Sequence, residues 1–160
     1  MKVDQNILVL GICIAMQTQI IQGCRNGWLQ FENSCYLLSK DAATWAEASM
    51  ICIDLESRLA AVETADESNF LKAEAHRLNA KSFWLDGTDL EVENVWRWTV
   101  NGNKLVYLDW GGHEPNQGTS ANCLTMWQEF GYRWADEPCR NVYHFVCEKR
   151  TPVGDNEIIG

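Results

Sequence analysis

The sequence predicts an α+β fold in which two helices precede a set of short antiparallel strands, all tied together by disulfide bonds. Three observations support this prediction. Two early segments carry apolar residues at helical spacing, and short strand-like segments separated by Gly-, Asn- and Asp-rich loops follow after residue 80. The strands do not alternate with helices as they would in an α/β protein. Seven cysteines in 160 residues supply the covalent links, and this length suits one domain.

Each helix is predicted by a capping pattern followed by an apolar stripe. Thr44 and Glu47 in "TWAE" form the pattern of a capping box, and the apolar residues behind them predict a helix over about 45–56. The segment "TADE" at 64–67 repeats the pattern. It precedes the stripe of the second helix, formed by Phe70, Leu71, Ala75 and Leu78.

The strands are predicted from short apolar or alternating segments. "WLQFENSCYLLS" at 28–39 indicates two strands around a turn at Asn33–Ser34. Later candidates are "FWLDG", "VWRW", "CLTMW", "YRW" and "HFVCE". The segment from about 100 to 122 shows little regular structure. Loops of this length inside a compact domain are usually functional or disordered, and this one contains the triplet Glu114-Pro115-Asn116.

The N-terminus predicts export. Lys2 precedes an apolar run over 7–16 and a polar stretch, which together are typical of a secretory signal peptide over 1–23. Cleavage after Gly23 and cleavage a few residues earlier fit equally well. The apolar run is shorter than the roughly 20 residues that a membrane-spanning helix needs, so no membrane insertion is expected. Residues 24–150 then form the domain, and residues 151–160 form a C-terminal tail.

The cysteines agree with an extracellular location. Removal of the signal peptide takes away Cys13 and leaves an even number, which in an exported chain predicts three disulfides with about 15 pairings open. The remaining cysteines are Cys24, Cys35, Cys52, Cys123, Cys139 and Cys147. Because the sequence has no Cys-x-x-Cys, it offers no zinc ribbon and no thioredoxin-like motif.

Charge and motifs exclude several classes of function. The formal charge of -9 argues against nucleic acid and anionic membranes as partners, because both need a basic face. "HEPNQ" resembles a zinc-protease motif, but Gln117 stands where the second histidine is required. Glu114 and Asp136 would need an apolar pocket to act as a glycosidase pair, whereas their loops are polar. We therefore expect no enzymatic activity.

Several segments resemble a C-type lectin domain, over about 24–148. They are "CRNGWLQFENSCY", "TWAEASMIC", "FWLDGTDL…VWRW" and "ANC…WADEPC…HFVCEKR". The resemblance implies a C-type lectin-like fold with a long ligand-binding loop. It also implies the disulfides Cys24–Cys35, Cys52–Cys147 and Cys123–Cys139.

The resemblance further implies a calcium-dependent sugar site. Ca²⁺ takes about six to eight oxygen ligands, and in this family vicinal sugar hydroxyls complete the shell. Glu114, Asn116 and Asp136 match the family's ligand positions and are the predicted carbohydrate-binding and calcium-binding residues. The family's Glu-Pro-Asn triplet, with a cis proline, is typical of mannose-, fucose- or GlcNAc-type sites. Ala121 and Ala135 replace two further ligands, so the calcium site is predicted to be incomplete.

Other loop residues are candidates for a supporting role. Four side chains in the same loops could replace the missing calcium ligands: Gln117, Ser120, Asn122 and Glu137. Asp89 and Glu93 fit an auxiliary calcium position of the family, but they are expected to be solvated loop carboxylates. Asp136 is also expected to be exposed.

The tryptophans are mainly core candidates. Five of them fall in segments that resemble the family's core, namely Trp84, Trp96, Trp98, Trp110 and Trp134. Trp127 follows Cys123 on the side where the family binds sugar, so its role stays open between packing and ligand contact.

We therefore predict a secreted lectin that binds mannose-, GlcNAc- or fucose-type glycans through a partly degraded calcium site. Its expected role is glycan or microbial recognition of the kind used in innate immunity. A homo-oligomer is left open. The alternative is a lectin-like domain that binds a protein or a surface without calcium and without sugar.

Overall fold

The computed structural model describes residues 23–151. The predicted signal peptide, apart from Gly23, and the tail after Thr151 lie outside the described residues. Ten helices and strands follow in chain order: β1 (Leu29–Phe31), β2 (Ser34–Leu38), α1 (Trp45–Asp54), β3 (Arg58–Leu59), α2 (Ala65–Leu78), β4 (Ser82–Thr88), β5 (Arg97–Trp98), β6 (Cys123–Trp127), β7 (Arg133–Glu137) and β8 (His144–Arg150). The predicted α+β class is confirmed.

Helix α1 starts with the predicted capping box. The Glu47 backbone N–H donates to Thr44 Oγ1 at 3.4 Å, and the Thr44 backbone N–H donates to Glu47 Oε2 at 3.0 Å. Two of the otherwise unpaired N–H groups at the helix start are thus satisfied. The helix buries Ala48 and Cys52. It ends at Asp54, two residues before the predicted end.

Helix α2 has only half of the predicted capping box. Thr64 Oγ1 accepts from the Glu67 backbone N–H at 3.2 Å, but the Glu67 side chain does not return to Thr64. Glu67 Oε2 instead accepts from the Glu63 backbone N–H at 2.8 Å, and its Oε1 accepts from the Tyr36 hydroxyl at 2.6 Å. The prediction was wrong because Glu67 is buried against β2, where it becomes the partner of a buried phenol.

The strands form a sheet in the order β1-β2-β8-β4-β6-β7, with β3 paired to β8 and β5 paired to β4. Strands β4 and β8 are parallel, and the other pairs are antiparallel. The hairpin β1–β2 turns at Glu32 and Asn33, one residue earlier than predicted. Thr151 donates its backbone N–H to the Asn33 carbonyl at 2.7 Å. The C-terminal end of the described chain therefore lies against the turn of the β1–β2 hairpin.

Three disulfides link these elements: Cys24–Cys35, Cys52–Cys147 and Cys123–Cys139. They are the pairs that the family resemblance implies. Cys52–Cys147 spans 95 residues and joins α1 to β8. Cys123–Cys139 joins the start of β6 to the segment after β7. This third bond lies beside the candidate site, where it holds the ends of two strands together.

The tryptophans pack into the core as predicted. Trp84, Trp98 and Trp134 are almost completely buried, and Trp96 is 8% exposed. Trp110 is half-buried and packs edge-on against Trp134, with ring centroids 5.8 Å apart. Edge-to-face pairs of this kind add to the stabilisation from burial. They anchor the long loop, which carries Trp110, to β7 of the sheet.

Candidate functional site

The predicted site residues come together where the long loop crosses the β6–β7 ribbon. Asp136 lies on β7 opposite Leu124 of β6. The loop returns to the sheet through two backbone hydrogen bonds: Gly111 N–H donates to the Trp134 carbonyl, and Trp134 N–H donates to the Asp109 carbonyl, both at 2.7 Å. These bonds fix the segment that leads into the Glu-Pro-Asn triplet. The triplet therefore sits beside the C-terminal half of β7.

Asp136 is the buried anchor of this site. Its side chain was expected to be exposed, but the residue is 1% exposed. Its Oδ1 accepts from the Asn116 backbone N–H at 2.9 Å, and its Oδ2 accepts from the Gln117 backbone N–H at 3.0 Å. Gln117 Nε2 also donates to the Asp136 carbonyl at 2.6 Å. The expectation was wrong because the long loop folds over β7 and covers this carboxylate.

Glu114 and Asn116 flank Pro115. The Glu114–Pro115 peptide bond is cis, in agreement with the predicted cis proline. Asn116 Nδ2 donates to Glu114 Oε1 at 2.9 Å. Glu114 Oε2 is buried and has no hydrogen-bond partner among the described residues. A carboxylate oxygen that is buried without a donor is destabilising. A cation or a bound proton at this oxygen would relieve that cost.

The buried, unpaired oxygen of Glu114 affects the pKa of its carboxyl group. The pKa of its carboxyl is raised from 4.5 to about 7, mainly by burial and in addition by the neighbouring negative charge of Asp136. Two carboxylates that share a site disfavour each other's charged form. A divalent cation between Glu114 and Asp136 would reverse this effect because it stabilises both charges.

The two positions with missing ligands are buried alanines. Ala121 is 1% exposed and Ala135 is 3% exposed. The four side chains considered as replacements already have hydrogen-bond partners: Gln117 binds the Asp136 carbonyl, Ser120 the Gln117 carbonyl, Asn122 the Thr119 carbonyl, and Glu137 the side chains of Asn141 and Tyr143. Glu137 in particular accepts two hydrogen bonds on Oε2, and its negative charge contributes to the raised pKa of Glu114.

The solvent exposure of Asp89 differs from the prediction. It was expected to be a solvated loop carboxylate, but it is 4% exposed. Its Oδ2 accepts from the Asn94 backbone N–H at 2.8 Å, while its Oδ1 is buried without a partner among the described residues. Burial raises the pKa of the Asp89 carboxyl. Glu93 is partly exposed and lies near it; burial and the negative charge of Asp89 raise the pKa of Glu93 as well.

The side chain of Trp127 is partly buried and packs against neighbouring residues. Its ring packs edge-on against Tyr143, with centroids 5.6 Å apart, and the Lys81 ammonium lies 4.8 Å from its centroid. This cation–π contact uses the face of the ring. Trp127 therefore has a packing role.

Sequence reasoning did not find the contribution of the backbone to this site. The N–H groups of Asn116 and Gln117 hold both oxygens of Asp136. Backbone groups leave no mark in a residue pattern, so only the fold shows them. The side chain of Gln117 was considered as a calcium ligand, whereas its amide nitrogen links the loop to β7.

Calcium fits this cluster as a site with few protein ligands. The cluster offers two carboxylates and one amide, which are hard oxygen donors of the type that Ca²⁺ prefers. The unpaired Glu114 Oε2 is an oxygen that such an ion would satisfy. Among residues 23–151, however, no group of three or more His, Cys, Asp or Glu side chains is placed to hold a metal. Water and ligand oxygens would therefore have to complete the coordination.

A disulfide-linked α+β domain with a Glu-Pro-Asn loop over a buried aspartate has the architecture of a C-type lectin domain. The sequence matches the "Lectin C-type domain" family over residues 41–149. The chain therefore belongs to this family. Its members are carbohydrate-binding proteins rather than enzymes, and many of them bind calcium.

Individual proteins agree with this assignment. Perlucin of Haliotis laevigata is 37% identical over 130 residues, which cover 79% of this chain and 83% of perlucin. A crystal structure of the cow CD23 carbohydrate-recognition domain, in the presence of a GlcNAc2Man3 oligosaccharide, has a TM-score of 0.73 and 28% identity; the match covers 82% of this chain and 98% of that one.

A second similar structure is that of a calcium-independent type II antifreeze protein. It has a TM-score of 0.72 and 26% identity, and the match covers 81% of this chain and 96% of that one. The same fold is thus used without calcium, so the fold alone does not define the ligand. Within residues 23–151, no helix is both long enough and apolar enough to cross a membrane.

Proposed function

We propose that this protein is a secreted lectin that binds mannose-, GlcNAc- or fucose-type sugars at Glu114, Asn116 and Asp136, with a weakly held calcium ion. The family assignment supports the lectin activity. The triplet Glu114-Pro115-Asn116 supports the mannose-type preference because it matches the family's motif for mannose-, fucose- or GlcNAc-type sugars. Recognition of foreign or self glycans is the role that this activity would serve.

The observation that carries the proposal is the unpaired oxygen of Glu114 beside the buried carboxylate of Asp136. Two carboxylates at one place raise the free energy of the ligand-free protein, and Ca²⁺ lowers it by supplying positive charge to both. The Asn116 amide is exposed at the edge of the same cluster and remains accessible to a sugar hydroxyl. Calcium and sugar would therefore meet at this cluster.

The absence of the side chains at Ala121 and Ala135 weakens calcium binding but leaves a site. Extracellular calcium modules bind with dissociation constants of about 10⁻⁴–10⁻³ M, and the loss of two ligands raises this value. We therefore place the calcium dissociation constant at or above the upper end of this range. Sugar hydroxyls would then contribute a large share of the coordination, so sugar and calcium should bind cooperatively.

Export and domain boundaries form part of the same proposal. Residues 1–23 would be the signal peptide, 24–150 the lectin domain and 151–160 the tail. The three disulfides support an oxidising compartment. N-terminal sequencing of the secreted protein tests the cleavage site, and the expected first residue is at or shortly before Cys24.

A glycan array tests the sugar preference directly. The mature protein is applied in excess calcium and again in EDTA, and binding to mannose-, GlcNAc- and fucose-terminated glycans is expected only with calcium. Binding confined to galactose-type glycans would contradict the preference. Absence of binding to any glycan in either condition would contradict the lectin activity and favour a protein or surface ligand.

A further inference from the structure

An apolar pocket lies directly beside the Glu-Pro-Asn triplet. Its volume is about 300 Å³, at the lower end of the range for small-molecule sites. Its apolar walls come from Val95, Trp96, Leu105, Leu108, Trp110 and Pro115. The pocket is separate from the carboxylate cluster but shares Pro115 with it, so a molecule bound at the triplet has a neighbouring apolar cavity.

The base of this pocket is formed by two indole rings that pack against each other. The rings of Trp96 and Trp110 meet edge-on at a centroid distance of 5.0 Å, and Trp110 packs against the buried ring of Trp134. The Leu105 backbone N–H donates to the Trp96 carbonyl at 3.2 Å. These contacts keep the two indoles in place. The pocket would therefore need little rearrangement to receive an apolar group.

The rim of the pocket exposes apolar surface. Leu108 is 55% exposed, and the neighbouring Val106 is 93% exposed. Polar groups among the lining residues are the side chains of Asn94 and Lys104 and the indole N–H of Trp96, which is buried without a hydrogen-bond partner among the described residues. An occupant that covers Leu108 would remove apolar area from water, which is favourable at about 25 cal/mol per Å². The chemistry of the lining thus fits an aliphatic group and leaves few polar groups for a second sugar ring.

We propose that this pocket binds an aliphatic chain attached to the sugar that is held at the triplet. The ligand class would then be an acylated or alkylated mannose-type glycan, with the chain running over Pro115 toward Trp96 and Trp110. This inference rests on the proposed sugar site. The pocket shares a residue with the triplet, so one covalent substituent can reach it from a bound ring.

The test compares three soluble sugars by calorimetric titration in calcium: methyl α-mannoside, octyl α-mannoside and methyl 6-O-octanoyl-α-mannoside, all below the concentration of micelle formation. The two chain-bearing probes place the chain at different positions of the ring. At least one of them should bind about tenfold more tightly than methyl α-mannoside. Tenfold corresponds to about 1.4 kcal/mol, which is what the burial of about two methylene groups contributes.

A matched pair of variants locates the effect. Leu108→Gln removes the apolar rim of the pocket, whereas Ile53→Gln changes an equally exposed side chain on α1; both residues are 55% exposed. Leu108→Gln should lose most of the chain-dependent gain and keep the affinity for methyl α-mannoside. Ile53→Gln should retain both values.

The outcomes separate this inference from the sugar site itself. If methyl α-mannoside binds and neither chain adds affinity, the pocket proposal is overturned and the lectin proposal stands. A chain effect that is equal in Leu108→Gln and Ile53→Gln also overturns the pocket proposal. If none of the three sugars binds, both proposals are overturned. A gain that disappears only in Leu108→Gln supports the pocket.

Discussion

The backbone N–H of Asn116 donates to Asp136 Oδ1 at 2.9 Å, which joins the long loop to β7 across 20 residues of sequence. The next N–H, from Gln117, binds the other oxygen of the same carboxylate. Hydrogen bonds to a charged acceptor are stronger than neutral ones. Asp136 thus has two roles in this account, since it orders the triplet and supplies one of the two carboxylates near the proposed ion.

The raised pKa of Glu114 predicts a pH dependence of stability without calcium. The pKa of this carboxyl is 4.5 in the reference state and about 7 in the folded protein. Between these values the unfolded chain loses the proton while the folded protein keeps it, so stability should fall as pH rises from about 5 to 7. Above that range no further loss from this group is expected.

Thermal unfolding in EDTA at pH 5 and pH 7.5 checks this prediction, with Glu114→Gln as the control. Glutamine does not titrate, so the variant should lose less stability than the wild type over this range. Excess calcium should reduce the loss in the wild type because it stabilises the ionised carboxyl. Equal pH dependence in both proteins would show that Glu114 is ionised in the folded state throughout.

The order of carboxylate and amide across Pro115 should control sugar preference. Glu114→Gln combined with Asn116→Asp exchanges the acceptor and the donor that a pair of hydroxyls meets, and preference should move from mannose-type to galactose-type sugars. Competition by methyl mannoside and methyl galactoside against a bound glycan measures the change. A double variant that keeps the wild-type preference would place the sugar away from the triplet.

Restoring the absent ligands should strengthen calcium binding. Ala121→Glu combined with Ala135→Asn adds two oxygen donors, so the calcium dissociation constant should fall by about tenfold or more, measured by calorimetry. Both alanines are buried, and polar groups placed there are costly without a partner. The variant should therefore be less stable than the wild type in EDTA and recover in calcium. Unchanged affinity would mean that these positions do not face the ion.

The long disulfide should contribute most to stability. Cys52–Cys147 closes a loop of 95 residues, for which the chain-entropy model gives about 4–5 kcal/mol, against about 3 kcal/mol for a loop of about 15 residues. Denaturant unfolding of Cys52→Ala/Cys147→Ala and of Cys123→Ala/Cys139→Ala compares the two. The first variant should lose more. The mature wild type should also show no titratable thiol, and finding one would contradict the pairing or the cleavage site.

Much of the fold follows from local patterns in the sequence. The capping box at Thr44 gave the start of α1, and the strand "CLTMW" was placed at its observed bounds, because caps and apolar runs act over a few residues. The hydrogen-bond partners of Glu67 were not predicted, because they include a residue that is distant in sequence. Its contact with Tyr36 joins residues 31 positions apart, and no local pattern encodes which distant group a buried carboxylate will meet.

The residues of the candidate site could be predicted from the sequence, but their burial could not. The triplet and Asp136 were found by resemblance to a family motif. The burial of Asp136 and Asp89 was not, since it depends on how the long loop folds over the sheet. The apolar pocket beside Pro115 combines residues from 94 to 115. Its existence depends on the Trp96–Trp110 contact, which the sequence does not reveal.

The central claim is that Asp136, together with the triplet, holds calcium and sugar at one place. Titration of methyl α-mannoside into the wild type and into Asp136→Ala, each with excess calcium and with EDTA, tests it most directly. Circular dichroism of both proteins controls for folding, because the alanine leaves two backbone N–H groups unpaired at about 1–3 kcal/mol each. We predict binding only in the wild type with calcium; equal binding by folded Asp136→Ala, or binding that persists in EDTA, would contradict the account.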